Sequence, residues 1–176
     1  MIRHLLLAYS ARRPVRIISD GDRPYLERYF VCALFGIRIY LHRFVGSDPD
    51  RGLHDHPWRW ALSLILLGWY YEATRQYGEP RPVRWFNFLT GDSFHRVILR
   101  PESERTDEFD LCTPSEVWTL FIVPAKDVKP WGFMRDKGQL GHVFTPFEYG
   151  PAGKPAKWWL DAPKGRDAAG RKGAAQ

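Results

Sequence analysis

The stretch DRGLHDHPWRWALSLILLGWYYE, residues 50–72, places His54 and His56 one residue apart in front of a long apolar run. On an extended strand this spacing puts both imidazoles on one face and Asp55 on the other. Two neutral imidazoles on one face can grip a transition metal once a third ligand arrives from elsewhere. The chain offers six histidines: His4, His42, His54, His56, His95 and His142. His95, in TGDSFHRVIL, follows a glycine-containing turn and opens a strand. Two ligands at the start of one strand and a third at the start of a later one would close one side of a metal. The other side would stay open to water, substrate or O2. Asp55 is expected to point away from such a centre and to orient a loop or a neighbouring arginine. His4, His42 and His142 are expected to be ordinary structural histidines.

Strands must position these groups, and the sequence reads as strands. VCALFGIRIYLHRF alternates so that Ile37, Ile39, Leu41 and Arg43 share one face, with Arg38, Tyr40 and His42 on the other. GSDPDRG is a loop, WALSLILL a buried strand, and Gly68 the turn before the returning WYYEATRQY. VRWFNFL, FHRVILR and EVWTLFIVPA follow, with WGFM and HVFTPFEY as closing strands. Short strands with frequent turn signals and almost no helical periodicity predict an all-β jelly roll, with any helix near the N-terminus. A polar interval, Pro101 to Pro114, separates two of the strands.

HDHP at 54–57, Gly68 twelve residues beyond His56, and LTGDSFH ending at His95 are similar to the two motifs of the cupin superfamily. The first of these is His-x-His followed by a glutamate and then a turn glycine; the second is a turn leading to another histidine. Over a longer span the chain looks like a group of small single-domain cupin-like proteins of bacteria and phages. The resemblance implies the cupin double-stranded β-helix and a divalent metal held by His54, His56 and His95. It departs from the pattern at Ala61, which stands where the glutamate ligand would be. An all-histidine site resembles that of the thiol dioxygenases and other O2-using iron enzymes. It implies a non-haem Fe(II) oxygenase acting on a small anionic molecule, and a possible homodimer. The alternatives are a Zn, Ni or Mn isomerase or hydrolase, and a non-enzymatic ligand- or nucleic-acid-binding cupin.

Around that site, Arg43 is the charged residue on an otherwise apolar face. It is the candidate anion anchor, or else the partner of Asp48, Asp50 or Asp55 in an internal ion pair. Ser63 shares a face with Ala61 and is expected to line a cavity, with Thr119 or Phe121 opposite. Glu72 is a further candidate ligand that otherwise reads as a rim residue. Asp92 reads as a turn cap.

The chain's 176 residues, 44% hydrophobic with eight tryptophans, suit one globular domain, here residues 1–150. Its two cysteines, Cys32 and Cys112, form no disulfide framework and read as buried fillers of a cytoplasmic protein. The apolar core of MIRHLLLAYSARR is shorter than the ~7–15 residues of a signal peptide. ALSLILLGWYY falls short of the ~20 residues a membrane helix needs. Of the net charge of +6, residues 151–176 carry four, from six basic residues against Asp161 and Asp167. That segment reads as a solvated basic tail, through which any nucleic-acid contact would be weak and salt-dependent.

Overall fold

The computed structural model describes residues 1–75, 79–99, 116–150 and 157–171. Among these residues, twelve strands follow one α-helix, α1 (Ile2–Ala11). They are β1 (Val15–Asp20), β2 (Arg23–Leu34), β3 (Ile37–Phe44), β4 (Leu53–His54), β5 (Trp60–Leu67) and β6 (Tyr70–Thr74). The second half holds β7 (Arg81–Val83), β8 (Phe86–Thr90), β9 (His95–Ile98), β10 (Val117–Pro124), β11 (Gly132–Asp136) and β12 (His142–Pro146). They form two six-stranded sheets, ordered β1-β2-β3-β10-β5-β8 and β12-β11-β4-β9-β6-β7. Every pairing between them is antiparallel, as expected of a jelly roll. PYLERYF lies inside β2, and Gly68 turns β5 into β6. The polar interval 101–114, with Cys112, lies outside the described residues. No helix among those described is long and apolar enough to cross a membrane.

Strands β1, β2, β3 and β10 of the first sheet are covered on both faces, and this decides where their side chains go. Between the sheets, Leu26, Phe44, Tyr70, Val83, Val97 and Val117 form one core. On the outer face, Val15, Tyr29, Leu41 and Trp118 form another, covered by Leu6 and Leu7 of α1. Arg3, Leu6, Leu7 and Ser10 fall at helical spacing, so one face of α1 meets the sheet. Its Arg3 Nε donates to Glu116 Oε1 at 2.8 Å.

Arg43 belongs to this outer layer, which corrects its expected place as a cavity anion anchor. It is 3% exposed. Its Nε donates to Glu116 Oε2 at 2.6 Å and its Nη1 to Glu27 Oε2 at 3.2 Å. Its guanidinium lies 5.4 Å from the Trp118 ring centroid. Tyr29 Oη donates to Glu27 at 2.6 Å and Trp118 Nε1 to Glu116 at 3.0 Å, so both carboxylates have further donors. The arginine did need acidic partners. They are Glu27, on the neighbouring strand, and Glu116, next to β10, rather than Asp48, Asp50 or Asp55.

The C-terminal segment also differs from expectation: residues 163–171 pack on this layer, while Trp158 and Trp159 reach the opposite face. Val15 N–H donates to Pro163 O, and Gly165 N–H to Arg13 O, both at 2.9 Å. Arg171 Nη2 donates to Ser10 Oγ at 2.8 Å. Trp159 stacks on Phe30 with ring centroids 4.3 Å apart. A composition rich in Gly, Ala and charge resembles a tail, yet here the small residues permit close backbone contact. A Cβ on Gly165 would sit 2.4 Å from Ser10 O. Gly165→Val is therefore expected to destabilise the fold by about 1–3 kcal/mol, read as a lowered Tm; an unchanged Tm would mean that the segment is not docked.

Candidate metal centre

β4 is only two residues long, and it delivers the first histidine. His54 pairs directly across the strands with His95 of β9, so both side chains emerge on the same face. On its other side β4 pairs with β11, His54 against Phe133. Gly52 makes that approach possible: its φ is +98°, and a Cβ there would lie 2.2 Å from Met134 O. His56, two residues on, returns to the same face. The ring centroids are 4.6 Å apart for His54–His95, 5.1 Å for His56–His95 and 5.2 Å for His54–His56.

One ring nitrogen from each histidine lies within 4.8 Å of the other two. His56 Nε2 and His95 Nε2 are 3.0 Å apart. Metal–nitrogen bonds of about 2.0–2.1 Å at right angles would place two donors about 3.0 Å apart, so this pair suits adjacent ligands on one ion. His95 Nδ1 lies 2.8 Å from Glu72 Oε1, which places the ring proton on Nδ1 and leaves the Nε2 lone pair facing the other imidazoles. Burial holds His54 and His56 well below the usual histidine pKa, helped by the neighbouring His95 and by Arg28. Neutral rings with convergent lone pairs are the form a metal requires. On this donor set the three residues fit a divalent ion.

Glu72 is neither a ligand nor a rim residue. Fully buried on β6, it is held by His95, by Arg81 Nε at 2.9 Å and by the Asn87 amide. Burial would raise its pKa, but the hydrogen bonds from His95 and Asn87 and the Arg81 charge outweigh this, so it lies below the ordinary carboxylate value. Asp48 plays a looser part beside His54, with Oδ2 3.8 Å from Nδ1, and also accepts Val97 N–H at 2.8 Å.

Asp55 faces away from the imidazoles, as strand alternation requires. Its carboxylate accepts Gly132 N–H and Lys129 Nζ, each at 2.7 Å, tying the histidine strand to β11. Asp92 pairs with the same lysine at 3.0 Å, while its turn is closed by Ser93 Oγ accepting Thr90 N–H. Ala61, 1% exposed, packs with Tyr40, Trp58, Leu89 and Phe121 and offers nothing to a metal.

The histidines open onto a cavity of about 680 Å³ between the sheets. Ser63 and Phe121 line it, Thr119 does not, and His42 does. His42 stacks on Phe121, with centroids 4.6 Å apart, and its Nε2 accepts Arg28 Nε at 3.0 Å. Burial and the Arg28 charge keep it neutral. The cavity face of β3 is thus Arg38, Tyr40, His42 and Phe44, opposite to the apolar face that carries Arg43. Alternation revealed two faces but could not rank them, because both are covered. Trp158 and Trp159 of the C-terminal segment also reach the wall.

Two antiparallel sheets enclosing histidines from β4, the residues just beyond it, and β9 decide the assignment. The fold is that of the cupins. No family model and no curated protein matches the sequence. Similar solved structures include the DMSP lyase DddQ from Ruegeria pomeroyi, 12% identical, with a TM-score of 0.49 over 72% of this chain and 63% of that one. A cupin-2 domain from Rhodospirillum rubrum is 14% identical, with a TM-score of 0.44 over 66% and 72%. A cupin-2 domain containing protein from Shewanella frigidimarina is 11% identical, with a TM-score of 0.41 over 55% and 78%. Ala61 stands where the cupin motif that the sequence resembles has its carboxylate ligand, and Glu72 stands behind His95 instead. Glu72→Gln is expected to weaken metal binding by about 10–100-fold while the fold survives. Titration against a competing chelator measures this, and an unaltered affinity would remove Glu72 from the centre.

Proposed function

We propose that this cupin is a mononuclear metal-dependent enzyme acting on a small anionic molecule, with Fe(II) and O2 as its working pair. The observation that carries this reading is the convergence of three imidazoles, His54, His56 and His95, on the wall of a cavity of about 680 Å³. A bound divalent ion would supply a 2+ charge that its three neutral ligands do not offset, together with open positions for a substrate and O2. His95 is held in its ligating tautomer by Glu72, and His54 is flanked by Asp48. Asp55 fixes the strand between the two neighbouring ligands through Gly132 and Lys129. The aromatic walls keep bulk water from the reacting groups, and Ser63 offers a hydroxyl beside them.

Protein purified without oxygen and analysed for metals is expected to carry one iron per chain and to consume O2 once its substrate is supplied. His54→Ala, His56→Ala and His95→Ala should each lose the metal while keeping the strand spectrum by circular dichroism. Stoichiometric zinc, nickel or manganese without O2 chemistry would replace the oxygenase reading with a Lewis-acid isomerase or hydrolase. Wild-type protein that binds no divalent ion would overturn both.

A further inference from the structure

One wall of the cavity carries positive charge that no acid among the described residues neutralises. Arg16 of β1 pairs directly across the strands with Arg28 of β2, and Arg28 pairs with His42 of β3. All three line the cavity, as does Arg38, two strand positions on the same face from Tyr40. Like charges placed directly opposite each other on a sheet are destabilising. Burial and the neighbouring Arg16 both work against the charge on Arg28 and lower its pKa.

Sequences that place an arginine in such a position normally supply an acid. Among the described residues, none of Arg16, Arg28 and Arg38 makes a hydrogen bond or salt bridge to a carboxylate. Arg28 donates to His42 and lies 5.6 Å from the Tyr40 ring centroid. Arg38 lies 5.6 Å from that of Trp159. Asp48 is the one carboxylate among the cavity's described lining residues, and it is engaged by Val97 N–H beside His54. Arg51, at the same cavity, is paired with Asp20. Arg43, by contrast, is shared by two glutamates outside the cavity.

We infer that Arg28, with Arg16 and Arg38 beside it, anchors the oxyanion of a small organic ligand whose other end reaches the histidine centre. This rests on the reading of the cavity as the site for an anionic molecule, and names the group that holds it. The guanidinium fork suits a carboxylate or a phosphate, both planar or trigonal arrays of acceptor oxygens. His42 and Phe121 form a continuous ring contact from Arg28 to His56, at 4.6 Å and 5.7 Å between centroids. A volume of about 680 Å³ far exceeds a bare oxyanion, and Tyr40, Phe121 and Trp158 make the intervening wall aromatic. A flat apolar body between the anion and the metal-facing group fits that wall.

Calorimetric titration of the full-length protein with benzoate, phenyl phosphate and acetate tests this, each with and without a chelator. Benzoate or phenyl phosphate is expected to bind more tightly than acetate, and to bind still when the metal is removed. The better of the two identifies the oxyanion. Arg28→Met should weaken it on the order of 10–100-fold, and Arg28→Lys, which keeps the charge but loses the fork, about tenfold. Arg16→Met, at an exposed position at the cavity's rim, should cost a few-fold and guards against a folding defect at Arg28. Wild-type protein that binds none of the three at millimolar concentration would overturn the inference. So would affinities unchanged in Arg28→Lys and Arg16→Met, or binding abolished by chelator alone. Anion binding that depends on Arg28 in a protein without metal affinity would uphold it while removing the metal-centre reading.

Discussion

Burial of β1, β2, β3 and β10 on both faces is the constraint from which the rest of this structure follows. A jelly roll needs only its inner faces covered, with the outer faces turned to water. Here α1 and residues 163–171 lie across β1, β2, β3 and β10, so the outer face holds a second apolar layer around Tyr29, Leu41 and Trp118. An arginine placed in that layer has lost its water, and it persists because Glu27 and Glu116 close around it. The inner face is thereby left to the cavity, and among the described residues its Arg16, Arg28 and Arg38 meet no such partners.

The two arginines therefore illustrate one rule with opposite outcomes. Arg43 and Arg28 stand on adjacent strands, Arg43 on the covered outer face and Arg28 on the face that lines the cavity. Arg43 is matched by two carboxylates that themselves accept from Tyr29, Trp118 and Arg3. Arg28 faces His42 and Arg16, and the nearby Asp48 is engaged elsewhere. A closed charge cluster stabilises a fold, while an open one in a cavity stores a preference for an incoming anion.

The metal centre shows a similar division between ligand and support. A short strand, β4, is pinned on one side to β9 and on the other to β11, and Asp55 anchors the far side of the same segment. Glu72 then sets the tautomer of His95 from behind. With Ala61 where the cupin motif has its glutamate, the candidate ligand set is three imidazoles. The nearest carboxylate stays one bond removed, where it can orient a ring without cancelling the metal's charge.

Much of this was legible in the chain itself. The two-residue spacing of His54 and His56 set them on one face and turned Asp55 away, because side chains alternate on any extended strand. Turn residues such as Gly68, and the alternation of apolar positions, set out the succession of strands. The segment 157–171 read as tail, because its contacts are backbone bonds, a glycine approach and a few isolated side chains such as Trp159 and Arg171, which leave no periodic trace. Glu72 read as rim, since its burial depends on β9 and β7 arriving on either side. Alternation put Arg43 on the wrong side of β3, for it assigns residues to two faces without saying what covers each. Local geometry is written in neighbouring residues, and so the sequence by itself determined the strands and the histidine pair. Which face became cavity and which cation kept no acid were decided only when α1 and the C-terminal segment closed over the sheet.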